Sequence, residues 1–121
     1  GQGVVSYGPP PGALAALATF PESPADHRYG AVEGEEALVS VIEDKLRHEN
    51  GIDVTGASRV VVTAGGNLGF MNAVLAVTDP GDDVILPVPY YFNHEMAIEM
   101  AGARVVPVPT DDQRQLDLDA I

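Results

Sequence analysis

The sequence contains no cysteine and few basic side chains. The absence of cysteine excludes disulfide bonds and thiolate chemistry but does not identify a compartment. Six basic residues stand against 18 acidic ones, and the resulting net charge of −12 disfavours nucleic acid and anionic membrane surfaces as partners. No apolar run approaches the roughly 20 residues that span a bilayer, and no basic stretch precedes an apolar core at the start. We therefore expect no nucleic-acid or membrane partner and a cytoplasmic location.

Two common nucleotide-binding motifs are also absent. Residues 65–69 read Gly-Gly-Asn-Leu-Gly, which departs from the GxGxxG pattern of nicotinamide-binding turns, and no lysine follows as in a Walker A loop. His94 has no HxH or HExxH companion, so a surface histidine is a better interpretation than a metal ligand or a base. The sequence predicts neither a metal site nor a catalytic residue within these 121 positions.

What the first half of the sequence does contain is a proline-rich arm followed by one amphipathic helix. Residues 1–30 combine many prolines with many glycines, which predicts an extended arm with about one turn of helix near residues 13–18. After Gly34, apolar residues recur on one helical face until Asn50 and Gly51. This pattern predicts a helix that ends at the glycine.

The second half alternates between strand and helix patterns. Residues 60–63 read as a buried strand and residues 68–77 as a buried helix. A second strand is predicted at 83–86, a helix at 92–100 and a third strand from 104. This order predicts an α/β fold with a parallel sheet and right-handed crossovers.

The most informative stretch is the turn between the first predicted strand and its helix. Gly65 and Gly66 allow a ligand to approach the backbone, and the free N–H groups at the helix start suit an anion such as phosphate. The alternative is that the glycines only shape a turn and that Asn67 only caps the helix. The residues alone leave both interpretations open.

A second candidate segment, residues 87–94, follows the second predicted strand. Ligands of an open parallel sheet bind outside the carboxyl ends of the strands, so this segment and the glycine turn should face one crevice. An aromatic ring there can stack on a planar heterocycle. Ordinary packing between helix and sheet is the simpler explanation for Tyr90, Tyr91 and Phe92.

Three further features remain to be interpreted. Tyr29 and Gly3 each have a ligand-binding and a structural interpretation, whereas the aspartate pair has a structural one. Tyr29 is either a phenol donor to a phosphate or a loop tyrosine that covers the start of the helix. Gly3 either permits close approach of a small ligand or only makes the arm flexible. Asp82 and Asp83 are predicted at the opposite end of the sheet, where they read as a solvated turn.

Together these segments resemble the amino-terminal third of a fold-type I, class I/II aminotransferase, a pyridoxal-phosphate family that includes aspartate and aromatic aminotransferases. The matching segments, in the order of the family, are Gln2-Gly3 in the arm, residues 29–38, residues 63–67, and residues 79–84 leading to Pro89-Tyr90-Tyr91. The resemblance implies a three-layer α/β/α large domain with a mainly parallel sheet. Residues 1–30 would be its amino-terminal arm and residues 31–121 its first, truncated part.

The resemblance also implies roles for individual residues. The backbone of residues 65–67 would hold the phosphate of pyridoxal 5'-phosphate, and Tyr91 would stack on its pyridine ring. Tyr29 would reach across a homodimer interface to the cofactor phosphate of the partner subunit. Gly3 would lie against the α-carboxylate of the substrate.

Other elements that the family requires are expected beyond these residues. They are the lysine that carries the cofactor, the aspartate at the pyridine nitrogen, the asparagine and tyrosine at the ring hydroxyl, and the arginine for the substrate carboxylate. Lys45, the only lysine, belongs to the amphipathic helix and is not the counterpart of the catalytic one. Val39 stands where many members carry arginine.

The functional expectation is therefore an aminotransferase that moves an amino group between an amino acid and a 2-oxo acid. This stretch would supply phosphate binding and ring stacking, and it would be inactive without the remaining carboxyl-terminal part. The alternative is a non-catalytic α/β module that binds an anion or a nucleotide.

Overall fold

The computed structural model describes residues 3–56, 58–118 and 121. In chain order the elements are α1 (Pro11–Thr19), two 3-10 turns (Phe20–Glu22 and Pro24–His27), α2 (Glu36–Asn50), α3 (Gly66–Val77), β1 (Asp83–Val88), α4 (Phe92–Met100) and β2 (Arg104–Pro109). Within the described residues, no helix has the length and apolar character needed to cross a membrane. The chain divides into two units, Gly1–Val61 and Val62–Ile121, and each is described by itself.

The first unit buries no side chain among its described residues. The prediction of an extended arm with one helical turn is wrong in extent, since α1 is nine residues long and 3-10 turns follow it. The alanine- and leucine-rich run after Pro11 has high helix propensity, and proline is favourable at the first helical position. The predicted amphipathic helix is confirmed as α2, which ends at Gly51 with a φ of 66°.

The second unit is built on a parallel pair of strands. β1 and β2 run side by side from Asp83 opposite Arg104 to Val88 opposite Pro109, and α4 connects them. The core cluster consists of one residue from α3, one from β1, one from α4 and one from the turn before β2, namely Val74, Leu86, Ile98 and Ala103. The predicted alternation of helix and parallel strand is confirmed for this part of the chain.

The strand predicted at residues 60–63 is wrong as a hydrogen-bonded strand. Within the described residues, the sheet has two strands and β1 pairs with β2. A strand is defined by ladder bonds to a neighbour, and no described segment provides such a neighbour for residues 60–63. The apolar pattern of residues 60–63 suits a strand, but it does not show whether a neighbouring strand is present to pair with it.

Asp83 and Arg104, the first residue pair of the two strands, form a bidentate ion pair. Arg104 donates from Nε and Nη2 to the two carboxylate oxygens of Asp83, at 2.6 Å each. Asp82 instead accepts the backbone N–H of Asp79 at 2.8 Å. Both aspartates are exposed, which confirms the prediction of a solvated turn at the start of this strand.

This ion pair predicts an acid dependence of stability. The hydrogen bond from Arg104 lowers the pKa of Asp83 below its ordinary value of 3.8. A lowered native pKa stabilises the fold above the unfolded-state value, and that contribution is lost as pH falls through the native pKa. We expect Asp83→Asn to remove this contribution and Arg104→Gln to raise the pKa of Asp83. Unfolding of the complete enzyme as a function of pH measures the first effect, and carboxyl titration by NMR measures the second. An Asp83 that titrates at its ordinary value in the unaltered protein would contradict the expectation.

Candidate functional site

The glycine turn lies at the start of α3 in the second unit. Gly65 is the N-cap residue, with φ 82° and ψ 165°, a conformation that is essentially restricted to glycine. A Cβ added at Gly65 would meet nothing within 4 Å. The backbone conformation, and not a lack of space, therefore requires glycine here. Gly66 is the first residue of the helix and has no positive φ.

Thr63 fixes this turn through two short hydrogen bonds. Its Oγ1 donates to the carbonyl oxygen of Gly65 at 3.0 Å, and the N–H of Gly65 donates to the carbonyl oxygen of Thr63 at 2.8 Å. A Cβ on Gly69 would come within 3.3 Å of Thr63 Oγ1. Gly69 thus leaves room for the hydroxyl group against the first turn of α3.

The first turn of α3 presents N–H groups that its own helix cannot satisfy. The leading N–H groups of any α-helix lack an intrahelical acceptor, and within the described residues no side chain caps this helix. The first turn contains no acidic residue, and Gly65, Gly66 and Asn67 are all exposed. The alternative that Asn67 caps the helix is wrong, because Gly65 occupies the N-cap position. The partial positive charge at this helix start suits an anion.

Tyr91 is the N-cap residue of α4, and its side chain is half-buried. Its hydroxyl oxygen accepts a hydrogen bond from Asn93 Nδ2 at 2.8 Å. Its ring makes edge contacts with Phe92 and His94, with centroids 4.9 and 5.7 Å away. The peptide bond between Val88 and Pro89, just before this segment, is cis. Sequence reasoning missed Asn93, whose only signal was an amide two positions after an aromatic residue.

His94 contacts α3 as well as Tyr91. Its ring is half-buried and stacks on Phe70 with centroids 4.1 Å apart and an interplanar angle of 24°. The prediction of a surface histidine therefore needs correction, since the ring packs between two aromatic neighbours. The described residues contain no group of three or more His, Cys, Asp or Glu side chains that could hold a metal ion.

Tyr90 and Tyr91 have different environments although they are adjacent. Tyr90 packs against the core cluster, as the packing alternative predicts. A hydrogen bond with Glu95 raises the pKa of Tyr90 above its ordinary value of 10.0. Tyr90 therefore has a structural role in the core. Among the aromatic contacts of the described residues, the ring of Tyr91 contacts Phe92 and His94, which lie close to it in the sequence.

The glycine turn and the Tyr91 segment border the same hollow. This hollow, of about 420 Å³, lies between α3 and α4, and Asn67 and Asn93 both line it. The remaining lining is mostly apolar and consists of Ala64, Leu68, Met71, Met96, Ala97 and Met100. Asn67 belongs to the glycine turn and Asn93 holds the hydroxyl group of Tyr91. The structure thus brings both predicted segments to one region of the second unit.

The other predicted site residues lie in the first unit. Tyr29 is fully exposed, and a Cβ added at Gly3 would meet nothing within 4 Å. Gln2 lies outside the described residues. Lys45 is on α2, where it pairs with Glu49 at 3.4 Å and donates to Asn50 at 2.7 Å. The binding roles of Tyr29 and Gly3 stay predictions.

Known proteins similar in sequence to this chain match most of its residues. The family model for aminotransferase class I and II matches residues 1–121. The aromatic aminotransferase ISS1 of Arabidopsis thaliana is 42% identical over 101 residues, which are 84% of this chain and 25% of that protein. An aspartate aminotransferase of Streptomyces avermitilis is 38% identical over 90 residues, which are 74% of this chain and 22% of that protein. The chain thus spans about a quarter of the length of these relatives.

Solved structures similar to this chain include further aminotransferases. The N-succinyldiaminopimelate aminotransferase of Mycobacterium tuberculosis matches with a TM-score of 0.85 and 32% identity, covering 99% of this chain and 32% of that one. The substrate-bound BacF structure from Bacillus subtilis matches with a TM-score of 0.89 and 27% identity, covering 100% of this chain and 31% of that one. The resemblance inferred from the sequence is confirmed, and the chain belongs to the class I and II aminotransferases.

Proposed function

We propose that this chain is part of a pyridoxal-phosphate-dependent aminotransferase, which transfers an amino group between an amino acid and a 2-oxo acid. One observation carries the proposal. The exposed, uncapped start of α3 and the amide that holds Tyr91 border a single hollow in a chain of this family. An anion site at the start of α3 and an aromatic ring held by a residue that lines the same hollow suit a ligand that combines a phosphate with a planar ring.

The chemistry of the described residues fits pyridoxal phosphate. Its phosphate would be held at Gly65, Gly66 and Asn67. The free donors there are the backbone N–H groups of Gly66 and Asn67, because the N–H of Gly65 donates to the carbonyl oxygen of Thr63. The first turn of α3 contains no acidic side chain that would compete with the phosphate. Its pyridine ring would lie on the ring of Tyr91. When bound, this cofactor supplies an electron sink for bonds broken at the α-carbon of an amino acid. The residues of this chain would bind and orient the cofactor, and Thr63 would keep the phosphate turn in shape.

The proposal extends to partners and location. The full exposure of Tyr29 leaves its phenol available to another chain, which supports a homodimer in which Tyr29 reaches the partner's cofactor phosphate. Gly3 would lie against the substrate carboxylate. The relatives include aromatic and aspartate aminotransferases, so we propose an amino acid and a 2-oxo acid as the substrate classes. We also propose that the protein acts in the cytoplasm.

The test uses the protein expressed from its complete gene. We expect it to purify with bound pyridoxal phosphate, to change its visible absorbance when an amino acid donor is added, and to recover the original spectrum with a 2-oxo acid. A panel of donors and acceptors then identifies the substrates. Lys45→Ala is the control, because Lys45 pairs with surface neighbours on α2 and should leave the absorbance change intact. A protein that binds anions without transferring an amino group would favour the non-catalytic module instead.

A further inference from the structure

Asn93 holds the ring of Tyr91 at its far end. Its Nδ2 donates to the hydroxyl oxygen of Tyr91 at 2.8 Å, and both side chains are half-buried. Tyr91 is the N-cap of α4 and Asn93 is the second residue of that helix. The amide is therefore carried by a regular helical backbone, while the ring extends from the residue just before it.

The other recognised contacts of the ring are edge contacts with two side chains of α4. Phe92 and His94 approach it edge-on, with interplanar angles of 60° and 88°. Edge contacts of this kind favour one orientation of the ring plane, and each contributes about as much as one hydrogen bond. A hydrogen bond to the hydroxyl group acts at the end of the ring most distant from the backbone. Because the hydroxyl oxygen lies on the long axis of the ring, this bond limits rotation about the first side-chain torsion of Tyr91, while the edge contacts of Phe92 and His94 limit rotation of the ring about its own axis.

His94 connects this arrangement to α3. Its ring stacks on Phe70, and Asn93 lines the hollow that Asn67 also borders. The position of the Tyr91 ring relative to the glycine turn is thus set by side chains on both helices. A ring held in advance loses less conformational freedom when a planar ligand binds on it.

We propose that Asn93 is a positioning residue that fixes the ring of Tyr91 for stacking on the pyridine ring of the cofactor. This inference rests on the proposed function. It assigns to Asn93 no contact with the reacting atoms, because its action passes through the hydroxyl group of Tyr91. Its effect should consequently be confined to the planar part of the ligand and should spare the phosphate.

The experiment separates these two parts of the ligand in the apo form of the complete enzyme. Pyridoxal without phosphate reports on ring binding, and inorganic phosphate reports on the glycine turn. We expect Asn93→Ala to weaken pyridoxal binding about three- to tenfold, the usual range for one lost hydrogen bond, and to leave phosphate binding unchanged. Asn72→Ala is the matched control, since Asn72 is exposed on α3 and should affect neither ligand.

A double-mutant cycle tests whether Asn93 acts through Tyr91. Tyr91→Phe keeps the ring and removes the hydroxyl group, so it should weaken pyridoxal binding as much as Asn93→Ala does. The double variant should then be no worse than either single variant. Independent losses that multiply, an equal loss of phosphate binding, or unchanged pyridoxal binding in Asn93→Ala would each overturn the inference.

The same titrations distinguish this inference from the proposed function. If the unaltered enzyme binds no pyridoxal phosphate and transfers no amino group, the proposed function fails and the role of Asn93 fails with it. If the unaltered enzyme does both and Asn93→Ala binds pyridoxal equally well, only the role of Asn93 is overturned.

Discussion

Replacement of Gly65 by alanine is expected to cause a large loss of affinity for pyridoxal phosphate. Gly65 has φ 82° and ψ 165°, a region that costs other residues about 1–3 kcal/mol. If this strain is relieved by a shift of the turn, the N–H groups at the start of α3 no longer converge on the phosphate. The strain alone corresponds to roughly a 5- to 150-fold loss of affinity. Titration of the apo form of the complete enzyme with pyridoxal phosphate measures the effect.

Two other glycines provide matched controls for this variant. Gly81 has φ 96° in the turn before β1, so Gly81→Ala introduces backbone strain in the same unit but outside the glycine turn. Gly51 has φ 66° at the end of α2, so Gly51→Ala introduces strain outside the glycine turn. We expect both controls to bind the cofactor within about fivefold of the unaltered enzyme, since neither carries the strain of Gly65 in the turn. Unimpaired binding by Gly65→Ala would contradict the assignment of this turn to the phosphate.

The 121-residue chain alone is expected to show no cooperative thermal transition. The described residues of the first unit bury no side chain. The buried hydrophobic side chains of the second unit are few, and two of them are alanine: Val74, Leu86, Ala97, Ile98, Ala103 and Val108. Ordering the backbone costs about 1–2 kcal/mol per residue, which so small a core cannot offset along the whole chain. Circular dichroism during heating, together with light scattering, measures the outcome.

Apolar surface beside β1 supports the same expectation. A groove of about 350 Å³ runs between α3 and β1, and its lining includes Phe70, Val77 and Ile85. An open strand edge next to apolar surface promotes association between chains. We therefore expect light scattering to detect aggregates of the isolated chain, whereas the complete enzyme should be monodisperse.

A variant of the buried core separates folding from aggregation in this experiment. Ile98 is fully buried, and Ile98→Ala should lower the free energy of unfolding of the complete enzyme by about 2–5 kcal/mol. In the isolated chain the same change should have little effect on the heating curve, because no cooperative transition exists to be shifted. A sharp transition with monodisperse scattering from the isolated chain would show that the expectation is wrong.

The sequence predicted the elements whose signals are local. α4 occupies residues Phe92–Met100 as predicted, and Gly102 follows with a φ of 81°. α2 ends where Asn50 meets Gly51. The strand predicted at residues 60–63 failed because a strand depends on a neighbour distant in the sequence, which an apolar run does not reveal. Capping signals therefore located the ends of α2 and α4, whereas a strand needs a partner that the local pattern does not show.

The same division applies to the candidate site. The glycine turn and the aromatic segment were recognisable because each directly follows a short apolar run and precedes a helix pattern. The hydrogen bond from Asn93 to Tyr91 and the stacking of His94 on Phe70 were not predicted. Such contacts depend on rotamers and on how α3 packs against α4, and neither is encoded in spacing alone. The cofactor roles of Gly65, Gly66, Asn67 and Tyr91 stay predictions that the binding experiments address.

The parallel pair of β1 and β2 also bears on how the chain folds during synthesis. Arg104 and Asp83 are 21 positions apart, and the regular register keeps the same separation along the ladder. Contacts this close in sequence need only a short loop to close, so they form faster than pairings between distant strands. We therefore expect the contacts within residues 83–109 to form earlier during synthesis than pairings with more distant strands. The backbone that leads into Tyr91 would then be set before more distant parts of the protein pack against it.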